Sequence, residues 1–412
     1  MGLVMTEVIR EQNATNRKWL MMGLLSLAEF LAMAVWFSAS SVVTDLTTLM
    51  RLDASGQSWL TMTVQIGFVA GALAASIFTL ADRVSSRRLF VFSIFGAVAA
   101  TALIPLFIGV PMLVMGLRFL TGVFLAGVYP VGMKIMATWT DQDRGLGIGL
   151  LVGALTLGSA APHLLNSLAG AADWRVVLWG SALLAALGGI IAFLFVQEGP
   201  NRAPTARFKP GDIGHVLRNR PVMLANLGYL GHMWELYAMW AWLSLFLTTS
   251  FAQVGVELHV ASLVTFLAIG IGGIGSIAAG KLADRIGRTQ VTSVSMLVSG
   301  ACALVIGQFW GGHPVLVSGL ALIWGLFIVA DSAQFSASVT ELIDRRYMGT
   351  ALTLQTSLGF LLTLFSIRLL PTLVDWVSWR WAFSFLAVGP LVGIWAMQTL
   401  QAVQHNTQKE MQ

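Results

Sequence analysis

The sequence predicts an all-α integral membrane protein whose twelve spans form two related six-helix halves. Three observations carry this. Of 412 residues, 57% are hydrophobic and only 10% charged, with a mean hydropathy of +0.79. A soluble chain carries about 25% charged residues, so this one lacks the polar surface to cover a globule. That excludes a soluble enzyme, a nucleic-acid binder and a disordered regulator. The apolar residues also fall into runs long enough to cross a bilayer, and two short segments recur at nearly one offset.

A crossing helix needs about 20 largely apolar residues. Such runs occupy 19–43, 57–81, 89–108, 111–138, 145–169 and 174–197, then 220–249, 258–283, 290–309, 314–340, 349–371 and 379–400. The first follows a mostly polar start with Arg10, Arg17 and Lys18. It is too long for the core of a cleavable signal peptide, so it is expected to stay. The one plausible linker, 198–219, contains Pro200, Pro204 and Pro210 and, with Arg220 at its edge, five Lys/Arg. The expected organisation is therefore a tail (1–18), a bundle (19–197), the linker, a second bundle (220–400) and a closing tail (401–412). With the N-terminus inside, 18 of the 24 Lys/Arg fall on the inner side, three on the outer side (Arg51, Arg175, Arg380) and three within spans. This bias puts both termini in the cytoplasm, and a bacterial cytoplasmic (inner) membrane is the expected location. The single Cys302 allows no intrachain disulfide.

Residues 29–38 read EFLAMAVWFS and 235–244 read ELYAMWAWLS, identical at five of ten positions. LADRVSSRR at 80–88 is echoed by LADRIGR at 282–288. Transporters are often built from such repeats. The second loop, from Gly280 through Asp284 and Arg285 to Arg288, resembles the loop motif of the major facilitator superfamily. Its first copy keeps Asp82, Arg83, Arg87 and Arg88 but has Phe78 and Ser85 where that family has glycines. Arg118 and Gly122, with Gly127 and Pro130, resemble the family's fourth-helix motif. The resemblance implies two pseudo-twofold six-helix bundles around a central cavity that rock between inward- and outward-open states. It also implies that the first, fourth, seventh and tenth spans line that cavity and that the loop motifs act as a cytoplasmic latch. Asp82 and Asp284 would face helix N-termini, and the arginines would pair with carboxylates such as Asp143 or Asp344.

Among nineteen acids only Glu29, Glu235 and Asp331 lie well inside spans, joined by Arg118. Each would cost about 2.5–3.5 kcal/mol against lipid, so they should face a wet or paired interior. They fall in the four spans that the resemblance assigns to the cavity. A carboxylate alternating between dry and hydrated settings takes up a proton in one and releases it in the other. Glu29, Glu235 and Asp331 are therefore the expected proton-coupling groups, with Arg118 as a charge partner of Asp331 or a substrate anchor. Trp36, Tyr129, His232, Met239, Trp242 and Gln334 are the expected substrate-binding side chains. An aromatic and methionine lining suits a planar or amphipathic organic solute. His232, one turn before Glu235, is expected to hydrogen-bond it; His163, after Pro162, reads as a cavity residue or, more simply, as a satisfied interior histidine.

The expected function is proton-coupled secondary transport of a small organic solute by a monomer in the lipid bilayer, with no cofactor, metal or nucleic acid and no enzymatic chemistry. Gly149, Gly153, Gly158 and Pro162 resemble the fifth-helix motif of the family's drug/proton antiporters, but the glycine before the proline is absent. The residues leave uptake and efflux both open. A transport-dead membrane sensor is the third reading. No nucleotide-binding loop is present, so the energy is expected to come from an ion gradient, protons before sodium.

Overall fold

The computed structural model describes the chain except Met1, Thr79, 141–143, 170–172, 202–207 and 411–412, and gives only the backbone for the helical residues 2–14, 81–82, 144, 407–408 and 410. All regular structure among the described residues is helical. The first half holds α1 (Gly2–Met33), α2 (Ala54–Ile77), α3 (Ser86–Leu103), α4 (Pro111–Trp139), α5 (Arg144–Ala169) and α6 (Trp174–Leu194). The second holds α7 (Arg220–Ala252), α8 (Leu258–Ile286), α9 (Arg288–Val305), α10 (Pro314–Leu342), α11 (Met348–Ala382) and α12 (Val388–Glu410). Nine helical stretches of the described residues are long and apolar enough to cross a membrane, one of them the double stretch Met348–Asn406. The chain is a multi-pass membrane protein.

Local chemistry sets the helix ends. Asp53, Ser85, Asp173 and Asn219 cap α2, α3, α6 and α7 by accepting from backbone N–H groups of the first turn, the role these side chains fill best. Pro130 interrupts α4, which stops at Leu125 and resumes at Tyr129, because proline has no N–H to donate. α10 breaks at Asp331. α11 runs past its expected end at 371 and turns only at Ser378, whose φ of 61° is left-handed. The outward faces stay apolar, with Phe92, Leu183, Phe193, Leu297 and Phe365 all more than half exposed, as lipid contact requires.

Within each half, glycines let backbones touch. A Cβ on Gly325 of α10 would lie 1.7 Å from the Ala268 carbonyl oxygen of α8, and one on Gly275 of α8 would lie 2.1 Å from the Leu326 oxygen. Leucine at 325 must therefore push α8 and α10 apart. We expect G325L to cost more than the ~1–3 kcal/mol usual for overpacking, because backbone cannot yield as a side chain can. Thermal unfolding of the purified protein in detergent measures this, and an unchanged midpoint would refute the close crossing.

The halves meet along two seams and a centre. α5 and α8 cross where a Cβ on Gly273 would lie 3.2 Å from Gly153 Cα, and Asn166 donates to Ser262 at 3.1 Å. α2 and α11 meet through Phe68 and Phe360, with ring centroids 4.5 Å apart. Between these seams, the segment that follows α1 meets α7 through Trp36 and Tyr237 at 6.0 Å and through Phe37 and Trp240 at 5.7 Å.

Candidate functional site

The first span departs from its expected course. α1 ends at Met33, and residues 34–42 cross as turns and a short 3-10 segment although they are uncharged and buried. Arg118 of α4 supplies the reason. It is fully buried and donates through Nη1 to Val35 O (3.0 Å), through Nη2 to Trp36 O (2.5 Å), through Nε to Leu60 O (3.1 Å) and, more weakly, to Ser38 Oγ (3.4 Å). In an unbroken helix the Val35 and Trp36 carbonyls would accept from N–H groups four residues on. The guanidinium, which cannot be left unpaired in an apolar interior, takes them instead. The repeat-related segment of α7 stays helical to Ala252, and α10 carries no Lys or Arg to unwind it.

This geometry corrects the expected pairing of Arg118 with Asp331: Arg118 is occupied by backbone of its own half. Asp331 stands at the α10 break with its Oδ1 2.9 Å from His232 Nδ1, both side chains about 2% exposed. His232 Nε2 meets Ser332 Oγ at 3.0 Å, so His232 is committed to Asp331 and Ser332 in place of the expected bond to Glu235. Glu235 accepts from Ser299 Oγ (2.8 Å, α9) and Trp324 Nε1 (2.7 Å, α10). Glu29 is fully buried, with neither oxygen hydrogen-bonded among the described residues. It presses on α4 where a Cβ on Gly132 would lie 2.4 Å from its Oε2 and 3.3 Å from Phe90. The four charges, expected to share one chamber between the halves, each sit among the helices of their own half.

What does lie between the halves is aromatic. Trp36 packs on Phe68 (5.0 Å), Tyr237 and Phe360 (5.8 Å), joining both halves. Met239 is buried in the same core and Tyr129 packs partly buried against it. Trp242, the repeat counterpart of Trp36, instead donates from Nε1 to Ile367 O of α11 at 3.0 Å, which makes it a packing residue of the second half. Gln65 of α2 is fully buried with neither amide atom hydrogen-bonded among the described residues, and the same holds for both ring nitrogens of His163. The expectation of a satisfied His163 is therefore corrected. Gln65, Phe68, Tyr237 and Phe360 were missed from sequence, although a lone glutamine inside an apolar span is a readable signal.

The loop motifs lie at the end that carries the N-terminus. Arg288 binds Glu341 through Nη2 (2.7 Å) and Nε (2.9 Å) and reaches Gln334 Oε1 at 2.7 Å. The carboxylate partner is thus Glu341, and Gln334 belongs to this network, which corrects its placement in the cavity. Gly280 borders it, a Cβ there lying 3.8 Å from Gln334 Nε2. Asp284 and Arg285 are exposed. In the first copy, the Arg87 N–H donates to Glu198 (3.1 Å) and its guanidinium to Phe193 O, tying α3 to the end of α6. Arg83 is exposed, while Asp143 and the Asp82 side chain fall outside the described residues.

Two helical bundles, each retaining its own charges and meeting on a shared aromatic centre, define a two-bundle polytopic membrane protein. The sequence matches the Major Facilitator Superfamily over residues 25–260. The chain belongs to that superfamily. It is 22% identical to an uncharacterized MFS-type transporter, MT3072, of Mycobacterium tuberculosis (strain CDC 1551 / Oshkosh), over 67% of this chain and 62% of the relative. It is 29% identical to the putative uncharacterized transporter YgaY of Escherichia coli (strain K12), over 40% of this chain and 41% of the relative. The matched stretches thus span less than two thirds of either relative. The solved structure of the nucleoside transporter NupG shares the fold, with a TM-score of 0.69 at 14% identity over 92% of this chain and 99% of that one.

Proposed function

We propose that this protein carries a small organic solute across a bacterial cytoplasmic membrane by proton-coupled alternating access, acting as a monomer with both termini inside. The observation that carries the reading is the repeat-related pair Glu29 and Glu235: both are buried, one without a hydrogen-bond partner among the described residues and the other held by two neutral donors. Neither arrangement neutralises a charge, so protonation of these carboxyls is free to follow hydration as the halves rock. The loop-motif residues Arg288, Gln334 and Glu341 tie α9 to α10 at one end of the second half, which lets that half move as one body against the other. The aromatic centre favours a planar or amphipathic solute over an inorganic ion.

Purified protein in proteoliposomes with an imposed pH gradient tests this. The screen holds amphipathic cations, aromatic acids and vitamin-like heterocycles, together with nucleosides, since the structurally similar NupG is a nucleoside transporter. The expected result is gradient-dependent accumulation of one class, abolished by a protonophore, with its sign giving uptake or efflux. Absence of flux for every class, in either gradient direction, would remove the transporter reading.

A further inference from the structure

We propose that the interruption of α1 is one wall of a substrate site for a neutral, planar heterocycle whose rim carries N–H and C=O groups side by side. The inference rests on the transport reading and names the solute class that it leaves open.

Contacts on either side fix the level of the unpaired groups. Ser40 and Thr61 hydroxyls are 2.7 Å apart, and Trp36 packs on Phe68 at 5.0 Å. Gln65 lies one turn from both Thr61 and Phe68 on the same face of α2, so it stands against residues 36–40. On α5, Gly158 lies against Phe30 and Met33, while Asn166 donates to Ser41 O at 2.8 Å. His163 lies one turn before Asn166 on the same side of α5, which sets it toward the stretch that ends at Ser41. Thus two buried side chains with unspent hydrogen-bonding capacity flank one stretch of α1 from two helices, and the Trp36 Nε1 also lacks a partner among the described residues.

A carboxamide presents a donor and an acceptor in one plane, which pairs with an amide-like edge through two hydrogen bonds. A neutral imidazole adds one donor and one acceptor. The rings of Trp36, Phe68, Tyr237 and Phe360, drawn from both halves, supply the faces for stacking. Charge selects further. Arg118 is spent on backbone, Asp331 on His232, and Glu29 and Glu235 turn into their own bundles. None of these four offers a counter-charge here, so the site favours a neutral ring over its cationic or anionic analogue. The rings touch in this structure, and the solute enters as they part with the halves.

Equilibrium dialysis of the purified protein against radiolabelled uracil, nicotinamide, nicotinate and 1-methylnicotinamide tests the site, because the last three share a ring and differ in charge. Uracil and nicotinamide should bind at least tenfold more tightly than the anion and the cation. Gln65→Ala and His163→Ala should each weaken them tenfold or more, and Gln65→Asn, which keeps the amide but withdraws it by one methylene, at least threefold should the alanine variant fail to fold. Gln65→Glu should shift preference toward 1-methylnicotinamide. The proposal is overturned if the neutral probes do not bind, bind no better than the charged ones, or ignore all of these substitutions. Binding in the expected pattern without pH-driven flux would keep the site and sink proton coupling. Flux with charge-indifferent binding would do the reverse.

Discussion

Arg118→Ala is expected to produce the largest loss of stability of any single polar substitution in the chain. The side chain is 0% exposed and serves three backbone carbonyls, two of them from the unwound segment of α1. Alanine orphans the Trp36 carbonyl, at about 1–3 kcal/mol for that group alone. It also strips one donor from the Val35 carbonyl, which keeps Ser38 Oγ at 3.0 Å, and from the Leu60 carbonyl inside α2, and leaves a cavity in place of the side chain. Even partial relaxation then leaves a loss of several kcal/mol against a total stability of about 5–15 kcal/mol. Arg118→Lys should recover less than half of it, since an ammonium is a point charge that cannot span Leu60, Val35 and Trp36 as a planar fork does. Alternatively, α1 could extend its helix through Val35 once the guanidinium is gone. That would rotate Trp36 out of the aromatic centre and disable transport while sparing stability. The two outcomes separate cleanly by melting temperature in detergent and by flux in liposomes. A variant with an unchanged midpoint, within about 1 °C, and full flux would show that Arg118 is not what holds α1 open.

The apolar runs made the helices legible, because crossing a bilayer demands length and hydrophobicity that composition displays directly. The end of α1 was not legible. Residues 34–42 are buried and carry no charge, Gly or Pro to mark a break, and the agent that unwinds them lies more than 70 residues away on α4. Backbone carbonyls carry no signature in sequence, so a buried arginine invites a carboxylate partner on paper and finds peptide oxygens in the fold. The same blindness affected the repeat. Trp36 and Trp242 are equivalent in sequence, yet the broken α1 turns one into the centre while the intact α7 turns the other onto Ile367. Glu29, Glu235 and Asp331 were conspicuous as costly residues, but cost fixes only that a side chain avoids lipid. It does not say whether the side chain turns toward the other half or toward its neighbours within one bundle. Gln334 was misplaced for a related reason: one turn of α10 separates the cavity level from the reach of Arg288.

Glu29→Gln and Glu235→Gln should each lower pH-driven accumulation tenfold or more while leaving counterflow of the same solute within about threefold. Glutamine keeps the shape of the side chain and, at 235, an oxygen for the donor-only Trp324 N–H, while its NH2 can donate to the Ser299 hydroxyl, which accepts as well as donates, so the fold survives and only proton exchange is lost. Alanine at 235 behaves differently, because it orphans the Trp324 N–H and the Ser299 hydroxyl, and it should reduce folded protein as well. At 29 no donor among the described residues depends on the carboxylate. Glu29→Ala should therefore cost little stability beyond a small cavity, whereas any larger residue at Gly132 must displace the acid, since a Cβ there already meets Oε2 at 2.4 Å. This difference between the two halves identifies which acid works. If both act, the double glutamine variant becomes a facilitator that equilibrates solute but does not concentrate it. If Glu235 is a packing group fixed by its two donors, only Glu29→Gln uncouples. Should the double variant still concentrate solute in response to a pH gradient, neither acid carries the proton, and the His232–Asp331 pair at the α10 break becomes the next buried titratable contact among the described residues to test.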